Sequence, residues 1–248
     1  MQKILLIDVD GTLIDSYPGI RESFIEGLEA VGARVPGEDV LRHIPGPPMI
    51  ENYRDLGLEG EDLSTAMDTY ISSQRSGAWK NCEVFPGIPE LLRTWRDEGF
   101  ILATATSKAE SSAQRVLEHF DLLGYFHVLG AAEEADKPGR SRQKKDDVIE
   151  HTLGLLRDVE GAPLVGGEVD PSQVLMIGDR KHDLEGAKKF GIQAALVTWG
   201  YGSEEEHAAA AFTARDAEEL GGVVDEFSQE TNTHAAGTPA AVTRVTAG

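Results

Sequence analysis

Asp8 and Asp10 stand two residues apart in Asp8-Val9-Asp10-Gly11-Thr12, at the end of an apolar run that begins near residue 3. Alternate side chains of an extended strand share a face, so the two carboxylates turn toward one spot while Val9 turns to the core. Gly11 permits a tight turn and close approach of a ligand to the backbone, and Thr12 adds a hydroxyl. The same Asp-Gly step between apolar residues is also a hairpin signal, so the rest of the chain must decide.

A second segment repeats the arrangement. Val174-Leu-Met-Ile-Gly178 is a strand-like apolar run, and Asp179 and Asp183 follow it. In an open parallel sheet, ligands collect outside the carboxyl ends of the strands, which would bring Asp8, Asp10, Asp179 and Asp183 to one crevice. An all-oxygen carboxylate cluster suits a hard cation such as magnesium, not zinc. His182 lies beside these acids, but that preference for oxygen leaves it out of the ligand set.

Two further segments offer groups for an anion. Thr104-Ala-Thr106-Ser107-Lys108 follows the apolar run Phe100–Ala105, where hydroxyls and backbone N–H groups at a helix entrance can hold phosphate oxygens. The same residues could simply cap a helix. Lys145 heads a helical pattern after a short basic stretch, Arg140, Arg142 and Lys144, and could supply a fixed positive charge to the same anion; alone it would read as a solvated lysine.

The elements that must position these residues alternate along the chain. Continuous apolar runs at 3–9, 100–105, 174–178 and 193–197, with a weaker one at 126–129, read as strands covered on both faces. Between them lie helical stripes: Ile88, Leu91, Leu92 and Trp95; Val116, Leu117 and Phe120; Lys145 through Val148, Ile149, Thr152 and Leu155; and Leu184, Ala187 and Phe190. This predicts an α/β fold with a doubly wound, mainly parallel sheet. Residues 16–82 break the alternation. They carry only helical stripes (Ile20, Phe24, Leu28, Val31, then Leu63, Met67, Tyr70, Ile71) around a stiff Ile44-Pro45-Gly46-Pro47-Pro48 loop, so they read as a helical insertion after the first strand. The expected division is a core of 1–15 and 83–227, an insert of 16–82, and a disordered tail of 228–248 poor in apolar periodicity.

Composition narrows the partners. The 248 residues include 43 acidic and 23 basic ones, a formal charge of -20 that repels nucleic acid and anionic membranes. One cysteine excludes an internal disulfide, and no apolar run reaches the length of a membrane span. The expectation is a cytoplasmic protein acting on a small molecule, with its oligomeric state open.

Taken in order, the four chemistry-bearing segments resemble the haloacid dehalogenase superfamily in its phosphatase branch, over roughly residues 1–200. Gly178-Asp-Arg-Lys-His-Asp183, Gly46-Pro-Pro48 and Lys145-Asp-Asp-Val-Ile149 are similar to the phosphoglycolate phosphatase and 5′-nucleotidase-like group. The resemblance implies a Rossmann-like core with a helical cap, and a magnesium-dependent phosphatase acting on a small phosphorylated metabolite through an aspartyl-phosphate. Asp8 would be the nucleophile and Asp10 the general acid and base. Thr106, the N–H of Ser107, and Lys145 would bind the phosphoryl group, with Lys144 and Lys137 as alternatives to Lys145. Asp8, the backbone carbonyl of Asp10, and Asp179 would hold magnesium, with Asp183 close by. Arg42, His43 and the Gly46–Pro48 loop are candidate substrate contacts. A phosphomutase of the β-phosphoglucomutase type shares this chemistry, and a non-catalytic phosphometabolite-binding protein is the reading from another class.

Overall fold

The computed structural model describes residues 2–134 and 142–235. Five parallel strands form its central sheet in the order β11-β10-β9-β1-β4, with β1 (Ile4–Ile7), β4 (Ile101–Thr104), β9 (Val174–Gly178), β10 (Gln193–Val197) and β11 (Phe212–Ala214). Each of the four longer strands is an apolar run because both faces are covered. Leu5, Ile7, Leu102, Leu175 and Ile177 pack on one face against Ile88, Leu92 and Trp95 of α5 (Ile88–Asp97), Val116 and Leu117 of α6 (Glu110–His119), and Leu220, Val224 and Phe227 of α10 (Ala217–Ala235). Ile4, Leu6, Ile101, Ala103, Val174 and Met176 pack on the other against Val148, Ile149 and Leu156 of α7 (Lys145–Leu156) and Ala187 of α8 (Lys181–Lys189). The period-2 split along each strand is what makes the sheet doubly wound.

Register places the chemistry. Ile7 pairs with Thr104 on one side and with Ile177 on the other, so Asp8, Ala105-Thr106 and Gly178-Asp179 leave the sheet at the same edge. The chain then folds back through β2 (Ile14–Asp15) and enters a helical insert: α1 (Tyr17–Ala30), α2 (Glu38–Leu41), α3 (Met49–Asp55) and α4 (Gly60–Ser76). It returns through β3 (Glu83–Val84), which pairs antiparallel with β2. The insert has a core of its own, Ile20, Phe24, Leu28, Leu41, Ile44, Tyr53, Leu58 and Ala66, in which the Phe24 and Tyr53 rings stack 4.5 Å apart.

Three expectations change. Residues 126–129 hold only an isolated bridge, Val128 to Ala103, and a two-residue strand β6 (Ala131–Ala132) pairs instead with β5 (Thr106–Ala109). In α7 the buried position is Leu156, while Leu155 is exposed. The long 158–171 connection contains a hairpin of β7 (Leu164–Val165) and β8 (Glu168–Val169). Finally, α10 continues to Ala235 past the expected start of the tail at 228, because the Leu220, Val224 and Phe227 stripe anchors it; residues 236–248 lie outside the described residues. No helix among the described residues is long and apolar enough to cross a membrane.

Candidate active site

Asp8, Asp179 and Asp183 meet at the carboxyl edge of the sheet. Each offers a carboxylate oxygen within 4.8 Å of the others, and all three are buried. Asp8 follows β1 with its N–H on Ile177 O, and Asp179 follows β9. Asp183 sits in the first turn of α8, where its Oδ2 accepts the N–H groups of Asp179 and Arg180 at 3.1 and 3.0 Å. Helix capping therefore fixes one oxygen of Asp183 and leaves Oδ1 turned inward.

Lys145 reaches this cluster from the first turn of α7. Its Nζ lies 3.0 Å from Asp8 Oδ1 and 2.8 Å from Asp183 Oδ1, and it donates to Ala105 O at 2.8 Å. Lys144 is the exposed N-cap of the same helix, and Lys137 lies outside the described residues. Of the rest of the basic stretch, Arg142 pairs with Glu110, and Arg140 is outside the described residues.

Three buried carboxylates against one ammonium are under-compensated, and the titration behaviour reflects it. Burial pushes the Asp8 carboxyl up to about 6; Lys145 opposes the rise, while Asp183 and Asp10 add to it. Burial, then the charges of Asp183 and Asp8, hold Asp179 well above the ordinary carboxylate range. Burial works to lower Lys145, but Asp183 and Asp8 more than offset it and raise the ammonium above its usual value. Among the described residues, Asp179 Oδ1 is buried with no hydrogen-bond donor, and the Oδ1 atoms of Asp8 and Asp183 have only the Lys145 ammonium beside them. Orphaned, inward-facing carboxylate oxygens in an all-oxygen set are what a small hard cation needs, so the residues fit a divalent metal ion of that kind.

Asp10 is placed differently. Its carboxylate is not among the three clustered ones; it accepts from Lys108 Nζ at 3.0 and 3.1 Å and from Ser16 Oγ at 2.6 Å. Ser16 is the N-cap residue of α1, yet its hydroxyl makes no cap and goes to Asp10 instead. The expected side-by-side pair is thus split, one carboxylate in the cation cluster and one at the mouth facing the insert. Tyr70 of α4 lies on that side, where burial first and then the Asp10 charge raise its phenol.

Thr106 is buried at the start of β5, and its Oγ1 accepts the Lys108 N–H at 3.2 Å; Ser107 beside it is half-buried. Helix α6 begins only at Glu110 with Ala109 as N-cap, so these hydroxyls sit on a short strand and do not cap the helix. Thr12 is buried, and its hydroxyl has no hydrogen-bond partner among the described residues.

Gly11 lies at φ +82°, and a Cβ there would come within 2.2 Å of Asp179 Oδ2. Only glycine lets the two strand ends approach this closely.

Sequence reasoning missed Ser16, Lys108 as the partner of Asp10, and Tyr201. The N–H of Tyr201 donates to Asp179 Oδ2 at 2.7 Å, and its hydroxyl donates to Asp15 and accepts from the N–H groups of Ser16 and Tyr17. Trp199-Gly-Tyr201-Gly just beyond a strand's carboxyl end was the available signal.

A family model described as haloacid dehalogenase-like hydrolase matches residues 5–197. The tyrosine-protein kinase PtkA of Mycobacterium tuberculosis is 41% identical over 200 residues, which is 81% of this chain but 63% of that protein. The chain therefore spans less than two thirds of that relative's length. A 5′-nucleotidase of Pseudomonas aeruginosa is 34% identical over 82% of this chain and 85% of its own. Among solved structures, a predicted phosphatase from Clostridium acetobutylicum superposes with a TM-score of 0.80 at 30% identity, covering 91% of this chain and 99% of that one.

Proposed function

We propose, for a chain that belongs to the haloacid dehalogenase-like hydrolase family, that it is a magnesium-dependent phosphatase of small phosphomonoesters acting through an aspartyl-phosphate. The observation that carries this reading is the split of the two strand-end acids: Asp8 in a buried cluster with Asp179, Asp183 and Lys145, and Asp10 outside it on Lys108 and Ser16.

Asp8 supplies the nucleophile. Its carboxylate attacks phosphorus, the bond from phosphorus to the leaving oxygen breaks, and Asp10 delivers a proton to that oxygen. Water then attacks phosphorus of the aspartyl-phosphate, Asp10 takes its proton, and inorganic phosphate leaves. Lys145, Thr106 and the N–H of Ser107 hold the oxygens of the transferring group, and Lys145 also offsets the charge of Asp8. Asp8, Asp179 and the carbonyl of Asp10 would hold magnesium, with Asp183 beside them. When bound, the ion neutralises the repulsion between a carboxylate and a phosphate dianion. The insert serves as the cap, excluding water and selecting the substrate.

The test is phosphate release with and without magnesium over phosphoglycolate, nucleoside monophosphates and sugar phosphates, beside Asp8→Asn. Activity surviving in Asp8→Asn would remove the nucleophile assignment. Isomerisation of a sugar phosphate without phosphate release would select a phosphomutase, and no turnover in the intact protein a binding role.

A second reading rests on the 41% identity to a protein named as a tyrosine kinase. An aspartyl-phosphate can pass its phosphoryl group to a phenolic oxygen as well as to water, with Asp10 taking the phenol's proton. Transfer of label from ATP to a tyrosine peptide, absent in Asp8→Asn, would favour it.

A further inference from the structure

The Ile44–Pro48 loop makes its most definite interaction with the core. Arg180, next to Asp179, donates from Nη1 to Pro45 O at 2.7 Å and His43 O at 3.3 Å, while its Nε pairs with Glu206 of α9 (Glu204–Ala208) at 3.2 Å. Both partners of that ion pair are nearly buried, with side chains 8% and 11% exposed.

The loop is chemically suited to this partner. Pro45, Pro47 and Pro48 have no N–H to donate, so the backbone offers acceptors, and a guanidinium offers a rigid fork of donors. Gly46 lies at φ +106°, and a Cβ there would stand 3.4 Å from Arg180 Cγ. The turn thus favours glycine for its conformation, while a Cβ there would only touch the arginine at ordinary contact distance. At its other end, the Arg180 N–H is held by Asp183 Oδ2, whose Oδ1 faces the cation cluster.

We propose that Arg180 is a positioning residue that latches the insert to the core and couples occupation of the carboxylate cluster to closure of the Ile44–Pro48 loop. Fixing Asp183 fixes the backbone from which Arg180 projects, and Arg180 fixes the loop. By thermodynamic reciprocity, loosening the latch weakens cation binding by the factor that the cation tightens the latch. The kinetic part rests on the phosphatase reading; the latch itself does not.

The experiment is hydrogen exchange of the full chain, read on peptides covering 40–52, for the wild type, Arg180→Met, Arg180→Lys and Glu206→Gln, each with and without magnesium chloride. Arg180→Met is expected to speed exchange there about 10-fold while leaving β9 and α8 unchanged, with Glu206→Gln and Arg180→Lys intermediate. Magnesium is expected to slow exchange of this loop in the wild type but not in Arg180→Met. In steady-state kinetics, KM should rise about 10-fold with kcat changed far less.

Wild-type exchange of the loop in Arg180→Met overturns the latch, and so does equal acceleration throughout α8 and β9, which marks a general loss of stability. If Arg180→Met does not fold, Glu206→Gln carries the same comparison with Arg180 in place. A wild type without phosphatase activity would overturn the proposed function, yet the metal-free exchange comparison would still decide the latch.

Discussion

Lys108 Nζ lies 3.0 and 3.1 Å from the two carboxylate oxygens of Asp10, with both side chains largely buried at 12% and 14% exposure. This ion pair, with the Ser16 hydroxyl, holds the acid away from the cation cluster and toward the space where a leaving group would depart. Lys108→Met is expected to lower kcat about 10–100-fold on an alkyl phosphate, whose departing oxygen needs a proton, and far less on p-nitrophenyl phosphate, which needs none. Equal losses on both substrates would mean that Lys108 does not act through Asp10.

The raised Asp8 carboxyl has a consequence for stability. In the metal-free protein the folded state holds more protons than the unfolded chain between the ordinary value of 3.8 and about 6. The contribution is present below that window and is lost as pH rises through it, with Asp179 shifted in the same direction. The Asp8 shift corresponds to about 3 kcal/mol. Metal-free Asp8→Asn should therefore gain stability over the wild type at pH 7.5 but little at pH 4, read by urea unfolding in a chelator. A gap that does not change with pH would refute the assignment.

Magnesium should act most where the carboxylates are ionised. Thermal melts with saturating magnesium chloride are expected to rise by about 5–10 °C at pH 7.5 and by much less at pH 5. Calcium, which prefers a larger and more flexible oxygen shell, should stabilise without supporting turnover. A shift of the same size at both pH values would place the ion elsewhere.

Lys145→Met removes the ammonium from beside Asp8 and Asp183. Breaking a buried ion pair on one side costs about 3–5 kcal/mol, so the metal-free variant should be strongly destabilised. The cluster is then more negative, and magnesium should restore more stability than it adds to the wild type. Its kcat should still fall about 100–1,000-fold, because the transferring phosphoryl group has lost a fixed charge. Denaturant titrations with and without magnesium, beside phosphate release, check both halves.

The sheet was legible because β1 and β9 are buried on both faces, which writes them as unbroken apolar runs with an acid or glycine at the carboxyl end, and β10 is likewise buried and apolar after Gln193. That pattern grouped Asp8, Asp10, Asp179 and Asp183, since parallel strands deliver their ends to one edge, and the structure clusters three of the four carboxylates. Lys145 was singled out over Lys144 and Lys137 only by the family resemblance, through its register relative to Val148 and Ile149, since on the residues alone it read as a solvated lysine. Two-residue strands such as β2, β3 and β6 carry no periodicity, and α10 continues past 228 through a polar stretch in which no apolar stripe marks its end. Ser16 stands just before a helix, where a serine hydroxyl ordinarily caps, and only the fold-back from Asp10 to Ile14 brings it to a carboxylate instead. The pairing of Lys108 with Asp10 joins elements far apart in the chain, for which the sequence holds no spacing to read, and Tyr201 was marked only by its place just beyond a strand's carboxyl end.

The antiparallel ladder of Ile14 with Val84 and Asp15 with Glu83 brings the insert's two ends together on the core. Everything between them is a closed excursion. The entropy of closing such an excursion grows only with the logarithm of its length, and the insert keeps its own apolar centre around Phe24 and Tyr53. Lengthening, trimming or replacing the insert would leave the pairings of β1 untouched, so the catalytic floor and the roof above it can diversify at separate rates.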